Sequence, residues 1–259
     1  MAFAELKDVR MRYEVAGPEG APALLFSNPL GTDLSVWDAQ ALEFAKKYRV
    51  VRYDKRGHGQ SSAPPGPYTI ELLSRDELAL FDFLKIDKAH YCGLSIGGQT
   101  GMWLGVNAPE RLNKLVLSNT GAQIGTAESW NKRIDAVRRG GTKAVAETVI
   151  ERWFTFDFRT SEPLEVSRVR RSLERADTAG YVACCEALRE FDYREKVSAI
   201  RVPTLVIAGT HDPAATPQDG RYLAEHIAGA RFVELDASHI SNIEAREPFT
   251  AELGAFLAA

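Results

Sequence analysis

The chain has 259 residues, of which 45% are hydrophobic and 26% charged, and its formal net charge is −3 at pH 7. These proportions argue against a disordered chain, and the length allows a large apolar core without disulfides or a structural metal. The slightly negative charge argues against broad attraction to nucleic acid or to an anionic membrane, so neither is expected as a partner.

The first 120 residues alternate short apolar runs with segments of helical spacing. Residues 3–17 are predicted to form two strands with a turn near Asp8, and the spacing of Ile70, Leu73 and Leu84 predicts a helix. Further strands are predicted where the runs are apolar almost throughout, which favours a mostly parallel sheet covered on both faces. These runs are residues 23–28, 48–54, 88–92 and 113–119.

The pattern changes between residues 122 and 199, where helical segments are rich in arginine and aromatic residues. This stretch carries 14 Lys+Arg against 13 Asp+Glu, whereas the rest of the chain carries 18 against 22. The sequence therefore predicts an α/β core of about eight strands, formed by residues 1–121 and 200–259, with a helical cap (a lid) at residues 122–199. The elements predicted after the cap are strands at 202–209 and 230–236 and helices near 217–227 and at the C-terminal end.

A G-x-S-x-G pattern occupies residues 93–97, between the apolar run 88–92 and a helical segment. A serine on such a tight strand-to-helix turn has strained backbone and a hydroxyl that projects above the sheet, and the flanking glycines leave room for the turn. The helix that follows offers free N–H groups to a developing anion. Ser95 is therefore the candidate nucleophile, the alternative being an ordinary turn.

A serine nucleophile needs a base, and the base needs a carboxylate that orients it. His239 follows the last predicted strand, and Asp212 follows the run 202–209, whereas the run 113–119 ends without a carboxylate. Asp212 would hold the required tautomer of His239 and stabilise its imidazolium form. The order Ser95, Asp212, His239 is the one expected for a G-x-S-x-G serine. Structural roles are favoured for His58, His90 and His226, and His211 is too close in sequence to Asp212 to form the pair with it.

Two backbone N–H groups are candidates for an oxyanion hole. One belongs to Ile96, directly after the nucleophile, and the second is expected in the loop after the run 23–28. Leu30 occupies the position in that loop whose N–H could face the serine. The alternative is an ordinary loop containing Asn28-Pro29.

The three cysteines, Cys92, Cys184 and Cys185, fit neither a disulfide framework nor metal-ligand spacing, which predicts a reducing, cytoplasmic location. The charged N-terminal segment argues against a signal peptide. We find no phosphate-binding glycine loop, flavin motif or metal-ligand cluster, so no cofactor and no metal are expected. The sequence does not predict an oligomeric state.

The whole chain resembles the α/β-hydrolases and, more narrowly, the 3-oxoadipate enol-lactonases of aromatic-compound catabolism by the β-ketoadipate pathway. RGHG and G-x-S-x-G are shared widely among hydrolases, whereas the Asn-Pro in the oxyanion loop is more specific. The resemblance implies the same roles for Ser95, Asp212, His239, Leu30 and Ile96. It rests on SNPLGTDLSVW (27–37), RYDKRGHGQS (52–61), PYTIELL (67–73), CGLSIGGQTG (92–101), AGTHDPAATP (208–217) and ELDASHISNIE (234–244).

This resemblance implies a small anionic enol-lactone substrate, which requires a local cation on a protein that is itself slightly negative. Arg133, with Trp130 and Trp153 as walls, is the first candidate in the cap, and Arg152 is the alternative. Many of the cap arginines must nevertheless be solvated helix-face residues.

Other functions remain compatible with these residues. A serine at position 95 excludes the relatives that use a carboxylate nucleophile there. It does not separate an enol-lactonase from another serine carboxylesterase, a carbon–carbon bond hydrolase or a perhydrolase. A non-catalytic ligand-binding protein of the same fold is a further alternative.

Overall fold

The computed structural model describes residues 2–259, and within this range eight strands form one sheet. They are β1 (Ala2–Glu5), β2 (Arg10–Ala16), β3 (Ala23–Ser27), β4 (Arg49–Tyr53), β5 (Ala89–Leu94), β6 (Leu112–Ser118), β7 (Thr204–Gly209) and β8 (Arg231–Leu235). Their order is β1-β2-β4-β3-β5-β6-β7-β8. The pairs β1–β2 and β2–β4 are antiparallel and the others parallel, which confirms the predicted sheet.

Helices connect most of the strands. In chain order they are α1 (Asp38–Phe44), α2 (Ile70–Phe83), α3 (Ile96–Asn107), α4 (Ala127–Gly140), α5 (Lys143–Trp153), α6 (Phe156–Ser161), α7 (Pro163–Arg175), α8 (Thr178–Glu190), α9 (Pro217–His226), α10 (Ser241–Glu244) and α11 (Arg246–Ala258). Across residues 2–259, no helix combines the length and the apolar character that crossing a bilayer requires.

The central strands are covered on both faces. Every residue of β3, β5 and β7 is buried, as their apolar sequences predict. Helix α3 packs against β5 and β6 with α2 beside it, and it is itself buried from Ile96 to Gly105. The stretch from Tyr91 to Pro109, which carries no charged residue, therefore comprises the end of β5 and a core helix.

The strand order reverses at β3. The chain leaves β3 for β4 on one side and later enters β5 on the other side. In open α/β sheets, ligand sites form at the carboxyl ends of the strands where the order reverses in this way. The loops after β3 and β5, which carry Leu30 and Ser95, are neighbours at this point because Ser27 pairs with Gly93.

Helices α4 to α8 all lie between β6 and β7 in the chain, within the segment predicted to be a cap. The cap touches the core at the carboxyl edge of the sheet. A Cβ atom on Gly57 would lie 2.5 Å from the Cα of Gly180, and one on Gly31 would lie 2.6 Å from the Leu173 side chain. Buried side chains of cap and core belong to one apolar cluster. The division into core and cap at residues 121 and 199 stays a prediction.

Candidate active site

Ser95 lies on a strained turn between β5 and α3. Its φ is 59° and its ψ is −118°, a backbone conformation that residues other than glycine rarely adopt. The turn is held by hydrogen bonds: the Ser95 N–H donates to Ser118 O at 3.0 Å, and the Thr120 hydroxyl donates to Ser95 O at 2.8 Å. Strained backbone at a serine that lines a cavity agrees with the sequence interpretation of this turn.

The two glycines that flank the serine are required by close backbone approach. A Cβ atom on Gly93 would lie 2.0 Å from Gly97 O, and one on Gly97 would lie 2.3 Å from Ser27 O. No side-chain rotation can relieve either contact, because both partners are main-chain atoms. The close packing of β3, β5 and α3 therefore requires both glycines of the G-x-S-x-G pattern.

We expect Gly93→Ala to destabilise the fold by about 3 kcal/mol, the upper end of ordinary overpacking, because the new methyl meets backbone. Gly254→Ala in α11 is the matched control, since its Cβ would lie 3.7 Å from the Phe44 ring. That control should be neutral or stabilising by up to about 1 kcal/mol. Urea unfolding of both variants measures the difference, and equal midpoints would contradict the packing argument.

Asp212 and His239 meet at the carboxyl ends of β7 and β8. Asp212 Oδ2 lies 2.8 Å from His239 Nδ1, and both residues are buried. The other carboxylate oxygen, Oδ1, accepts the N–H groups of Ala214 at 2.8 Å and Ala215 at 3.1 Å. Because Nδ1 then carries the proton that faces the carboxylate, Nε2 is left free to act as a base.

Ser95 and His239 line the same cavity, whose volume is about 600 Å³. Among the hydrogen bonds of residues 2–259, the imidazole makes the bond to Asp212 and none to the Ser95 hydroxyl. Catalytic hydrogen bonds frequently shorten only when substrate is bound. The structure thus brings the three predicted residues to one site, with the serine–histidine contact still open.

Asn119 is a residue of this site that the sequence did not identify. It follows β6, and its amide nitrogen donates to Asp212 Oδ2 and to Ser238 O, both at 3.1 Å. Its amide oxygen accepts from the hydroxyls of Ser118 at 3.0 Å and Ser241 at 2.5 Å. Asn119 therefore fixes the carboxylate relative to the histidine loop. The available signal was an amide side chain at the end of the strand that neighbours β7.

The two predicted oxyanion donors lie on adjacent loops. Ile96 is the first residue of α3, where helix N–H groups have no partner within the helix. Leu30 follows β3 and lines the cavity together with Ser95. Its loop is stabilised by Asn28, whose amide donates to Tyr53 O at 2.8 Å, and by Thr32, whose hydroxyl donates to Pro29 O at 3.0 Å.

The cap supplies the opposite wall of the cavity. All four cap residues predicted to contact substrate line it. Arg133 stacks on Trp130 with its guanidinium carbon 5.0 Å from the ring centroid. Within residues 2–259, neither the Arg133 nor the Arg152 side chain has a carboxylate within 4.0 Å, so both cations are available to an anion. The four residues are Trp130, Arg133, Arg152 and Trp153.

The histidine loop is also bound directly to the cap. The Ser238 hydroxyl donates to Arg152 O at 2.7 Å, and the Ile240 N–H donates to Trp153 O at 3.1 Å. Glu244 joins the same two segments, because its carboxylate accepts the N–H groups of Thr155 at 3.0 Å and Ser238 at 2.7 Å. Movement of the cap would therefore be transmitted to the backbone on either side of His239.

Two other ionisable side chains considered from the sequence, those of His58 and Cys92, are buried and fit structural roles. Burial lowers the pKa of His58 to about 4, and its Nδ1 contacts Arg56 O at 3.2 Å. Burial also raises the pKa of Cys92, which keeps this neighbour of the nucleophile a neutral thiol. In the described part of the chain, no group of three or more His, Cys, Asp or Glu side chains could hold a metal ion.

The fold and the arrangement at the strand ends define a class of protein. A family model described as the alpha/beta hydrolase fold matches residues 22–246, and the chain belongs to that family. It is a hydrolase that is similar over almost its full length to enol-lactonases.

Three comparisons support this similarity. "3-oxoadipate enol-lactonase 2" of Acinetobacter baylyi is 46% identical, covering 94% of this chain and 91% of that relative. "3-oxoadipate enol-lactonase 1" of the same organism is 40% identical, covering 95% and 92%. The crystal structure of the enol-lactonase from Burkholderia xenovorans LB400 superposes with a TM-score of 0.98 at 47% identity and covers 100% of both chains.

Proposed function

We propose that this protein opens the lactone ring of 3-oxoadipate enol-lactone to give 3-oxoadipate, as an enzyme of aromatic-compound catabolism. The observation that carries the proposal is the shared cavity, which holds Ser95 and His239 together with the unpaired guanidinium groups of Arg133 and Arg152. The relatives named as 3-oxoadipate enol-lactonases supply the particular lactone. Such a substrate is a small anion with one activated ester bond.

The reaction begins with attack of Ser95 Oγ on the lactone carbonyl carbon. His239 Nε2 takes the hydroxyl proton, and Asp212 stabilises the imidazolium that forms. The carbonyl oxygen becomes an oxyanion that accepts the N–H groups of Leu30 and Ile96. Collapse of this intermediate breaks the ring carbon–oxygen bond and leaves an acyl group on Ser95.

The leaving group is an enolate that stays attached to the acyl group. Resonance stabilises it, so it requires little acid assistance at the moment of bond breaking. The proton held by the His239 imidazolium balances the proton that the enolate gains on becoming a ketone, which restores neutral His239 and removes the nucleophile that could close the ring again. His239 then deprotonates a water molecule, which attacks the acyl-enzyme and releases the diacid. Protein, substrate and water supply every proton and electron pair in this cycle.

Arg133 is our first candidate for the substrate carboxylate. The buried ring of Trp130 lies against one face of the Arg133 guanidinium group, and the side chain lines the open cavity. A guanidinium can bind a carboxylate through two parallel hydrogen bonds, and stacking on Trp130 restricts its orientation in advance. Arg152 is the alternative, since it lines the same cavity from an exposed position at the end of α5.

We expect Arg133→Ala to lower kcat/KM for the enol-lactone by about 10- to 100-fold, the value of a charge-assisted hydrogen bond. An uncharged ester should lose less than about threefold, because it has no carboxylate to bind. Arg152→Ala is the matched variant on the same wall. Equal losses for both substrates would reject Arg133 as the carboxylate ligand, and a selective loss in Arg152→Ala would assign that role to Arg152.

A direct assay tests the proposed function. The purified protein is mixed with the enol-lactone, the loss of its absorbance is followed, and Ser95→Ala serves as the control. Parallel assays with activated esters, a diketone, and a carboxylic acid with hydrogen peroxide separate the enol-lactonase from an esterase, a carbon–carbon bond hydrolase and a perhydrolase. Binding of the lactone without turnover would instead indicate a ligand-binding protein.

A further inference from the structure

A fully buried carboxylate, Glu77 of α2, lies beneath the two oxyanion loops and takes no part in the reaction described above. Its Oε1 atom accepts from Ser27 Oγ at 2.9 Å and from the Tyr53 hydroxyl. The Tyr91 and Thr100 hydroxyls also lie 2.9 Å from Oε1. Four hydroxyls therefore surround one carboxylate in the interior of the protein.

A buried cation accompanies this carboxylate. Lys55 is 2% exposed, and its Nζ donates to Ser27 Oγ at 3.2 Å and to the Tyr53 hydroxyl at 3.3 Å. Burial raises the pKa of Glu77 and lowers that of Lys55, and the attraction between the two charges opposes both shifts. Lys55 and Glu77 are linked through the hydroxyls of Ser27 and Tyr53 rather than by direct contact. Because two charges buried together are frequently no more stabilising than apolar side chains of equal size, their presence here calls for a reason other than stability.

Two of the four partners of Glu77, Ser27 and Thr100, belong to the segments that carry the oxyanion donors, whereas Tyr53 and Tyr91 lie in β4 and β5. Ser27 is the last residue of β3, three positions before Leu30. The Tyr91 and Thr100 hydroxyls each lie 2.9 Å from the carbonyl oxygen of Gly97, the residue after Ile96. Each hydroxyl has one proton, so one of the pair can donate to Glu77 while the other donates to Gly97 O, and their oxygen atoms are 2.6 Å apart. Glu77 is thus linked to the end of β3 through Ser27 Oγ and to the first turn of α3 through this pair of hydroxyls.

These two segments are in direct backbone contact, so a small change in their separation would move the two N–H groups relative to each other. The Cβ position of Gly97 is 2.3 Å from Ser27 O, so neither segment can approach the other further. We expect them to separate slightly at this point if the hydroxyls on Glu77 lose their common acceptor. A displacement of about 1 Å at a reacting centre can cost on the order of 100-fold in rate.

We propose that Glu77 is a positioning residue that holds the N–H groups of Leu30 and Ile96 at the separation which one oxyanion requires. The proposal rests on the proposed acyl-transfer function of Ser95. It concerns the transition state rather than substrate binding, because Glu77 does not line the cavity. A substitution of Glu77 should therefore alter kcat more than KM.

The central test is Glu77→Met, which has a side chain of similar length but lacks Oε1, the oxygen that all four hydroxyls share. We expect kcat to fall by about 10- to 100-fold, a fraction of the loss that follows removal of one oxyanion donor, with KM changed by less than about threefold. Affinity for a trifluoromethyl ketone carrying a carboxylate, which forms a tetrahedral oxyanion on Ser95, should fall by the same factor as kcat. Affinity for the product diacid should not change.

Two further variants distinguish positioning from folding. Thr100→Val removes one of the two hydroxyls that link Glu77 to Gly97 O, and it should lower kcat by about three- to tenfold in a protein that folds normally. Tyr68→Phe is the control, because it removes a buried hydroxyl that bonds to Pro64 O outside this network. Its kcat should match that of the unaltered protein.

Each outcome decides the proposal. A lower Tm in Glu77→Met with unaltered kcat and unaltered ketone affinity in the folded protein would show that Glu77 has only a structural role and would overturn the proposal. The same measurements are made with an activated acetate ester, which needs the oxyanion hole but not the carboxylate site. If the enol-lactone is not a substrate while the ester is, the proposed function fails and the positioning role is still measured on the ester.

Discussion

Ser95→Ala should lower kcat by about 10⁶-fold, because serine, histidine and carboxylate act as a unit and removal of the nucleophile abolishes the acyl-enzyme route. KM should change little, since the cap residues that line the cavity are untouched. Rapid quenching of the unaltered protein with enol-lactone, followed by mass spectrometry, should find the acyl group on the peptide that contains Ser95. Activity within tenfold of the unaltered protein would reject Ser95 as the nucleophile.

Ser95→Gly is the matched control for this prediction. The native φ of 59° strains alanine as it strains serine, whereas glycine adopts it freely. The glycine variant should therefore be as inactive as Ser95→Ala and yet more stable by about 1 kcal/mol or more. This combination separates the loss of the hydroxyl group from any loss of the fold. A glycine variant no more stable than the alanine variant would show that the turn is not under strain.

Much of the fold could be predicted because the central strands are short and buried on both faces. The run at 23–28 corresponds to β3 and that at 202–209 to β7, each with its boundary shifted by at most two residues. The helices of the cap could be predicted only as a group. Their buried positions, such as Val137 in α4 and Leu173 in α7, depend on packing between helices that is not local in sequence.

The residues of the candidate site also differ in whether a local sequence pattern or only tertiary contacts identify them. Ser95 follows β5 directly, and Asp212 and His239 come within four residues of the ends of β7 and β8, so a local pattern finds them and the sheet brings them to one edge. Asn119 and Glu77 carry no such pattern, because their roles arise from contacts with residues far away in the chain. Asn119 contacts Asp212 across 93 positions, and Glu77 contacts Ser27 across 50.

Tertiary contacts also show which of the cap arginines are paired with carboxylates of the protein and which face the cavity. Arg138 pairs with Glu186 at 2.8 Å and Arg170 pairs with Glu147 at 2.7 Å, so each of these arginines already has a carboxylate partner in the protein. Arg133 and Arg152 are distinguished by facing the cavity. The sequence had already named Arg133 and Arg152 as the candidates for the carboxylate ligand, and the structure adds that both line the cavity with the nucleophile.

Asp212→Asn should lower kcat by about 10⁴-fold while leaving the fold intact. The amide oxygen of the new side chain is expected to accept the N–H groups of Ala214 and Ala215, as Asp212 Oδ1 does now. The NH₂ group then faces His239 Nδ1 and donates to it. This forces the proton of the imidazole onto Nε2, the nitrogen that must accept the serine proton, so the base is present in the wrong tautomer.

The chain offers a matched control for this prediction in a second histidine–aspartate pair. His211 Nε2 lies 2.8 Å from Asp236 Oδ1, and the Asp236 side chain is 94% exposed. Asp236→Asn removes the same charge at the same edge of the sheet, and its kcat should stay within about twofold because a water-exposed pair contributes little. Comparison of kcat for the two variants at pH 7 is the measurement. A loss of only about tenfold in Asp212→Asn would mean that another acid orients His239, and an equal loss in Asp236→Asn would identify that acid.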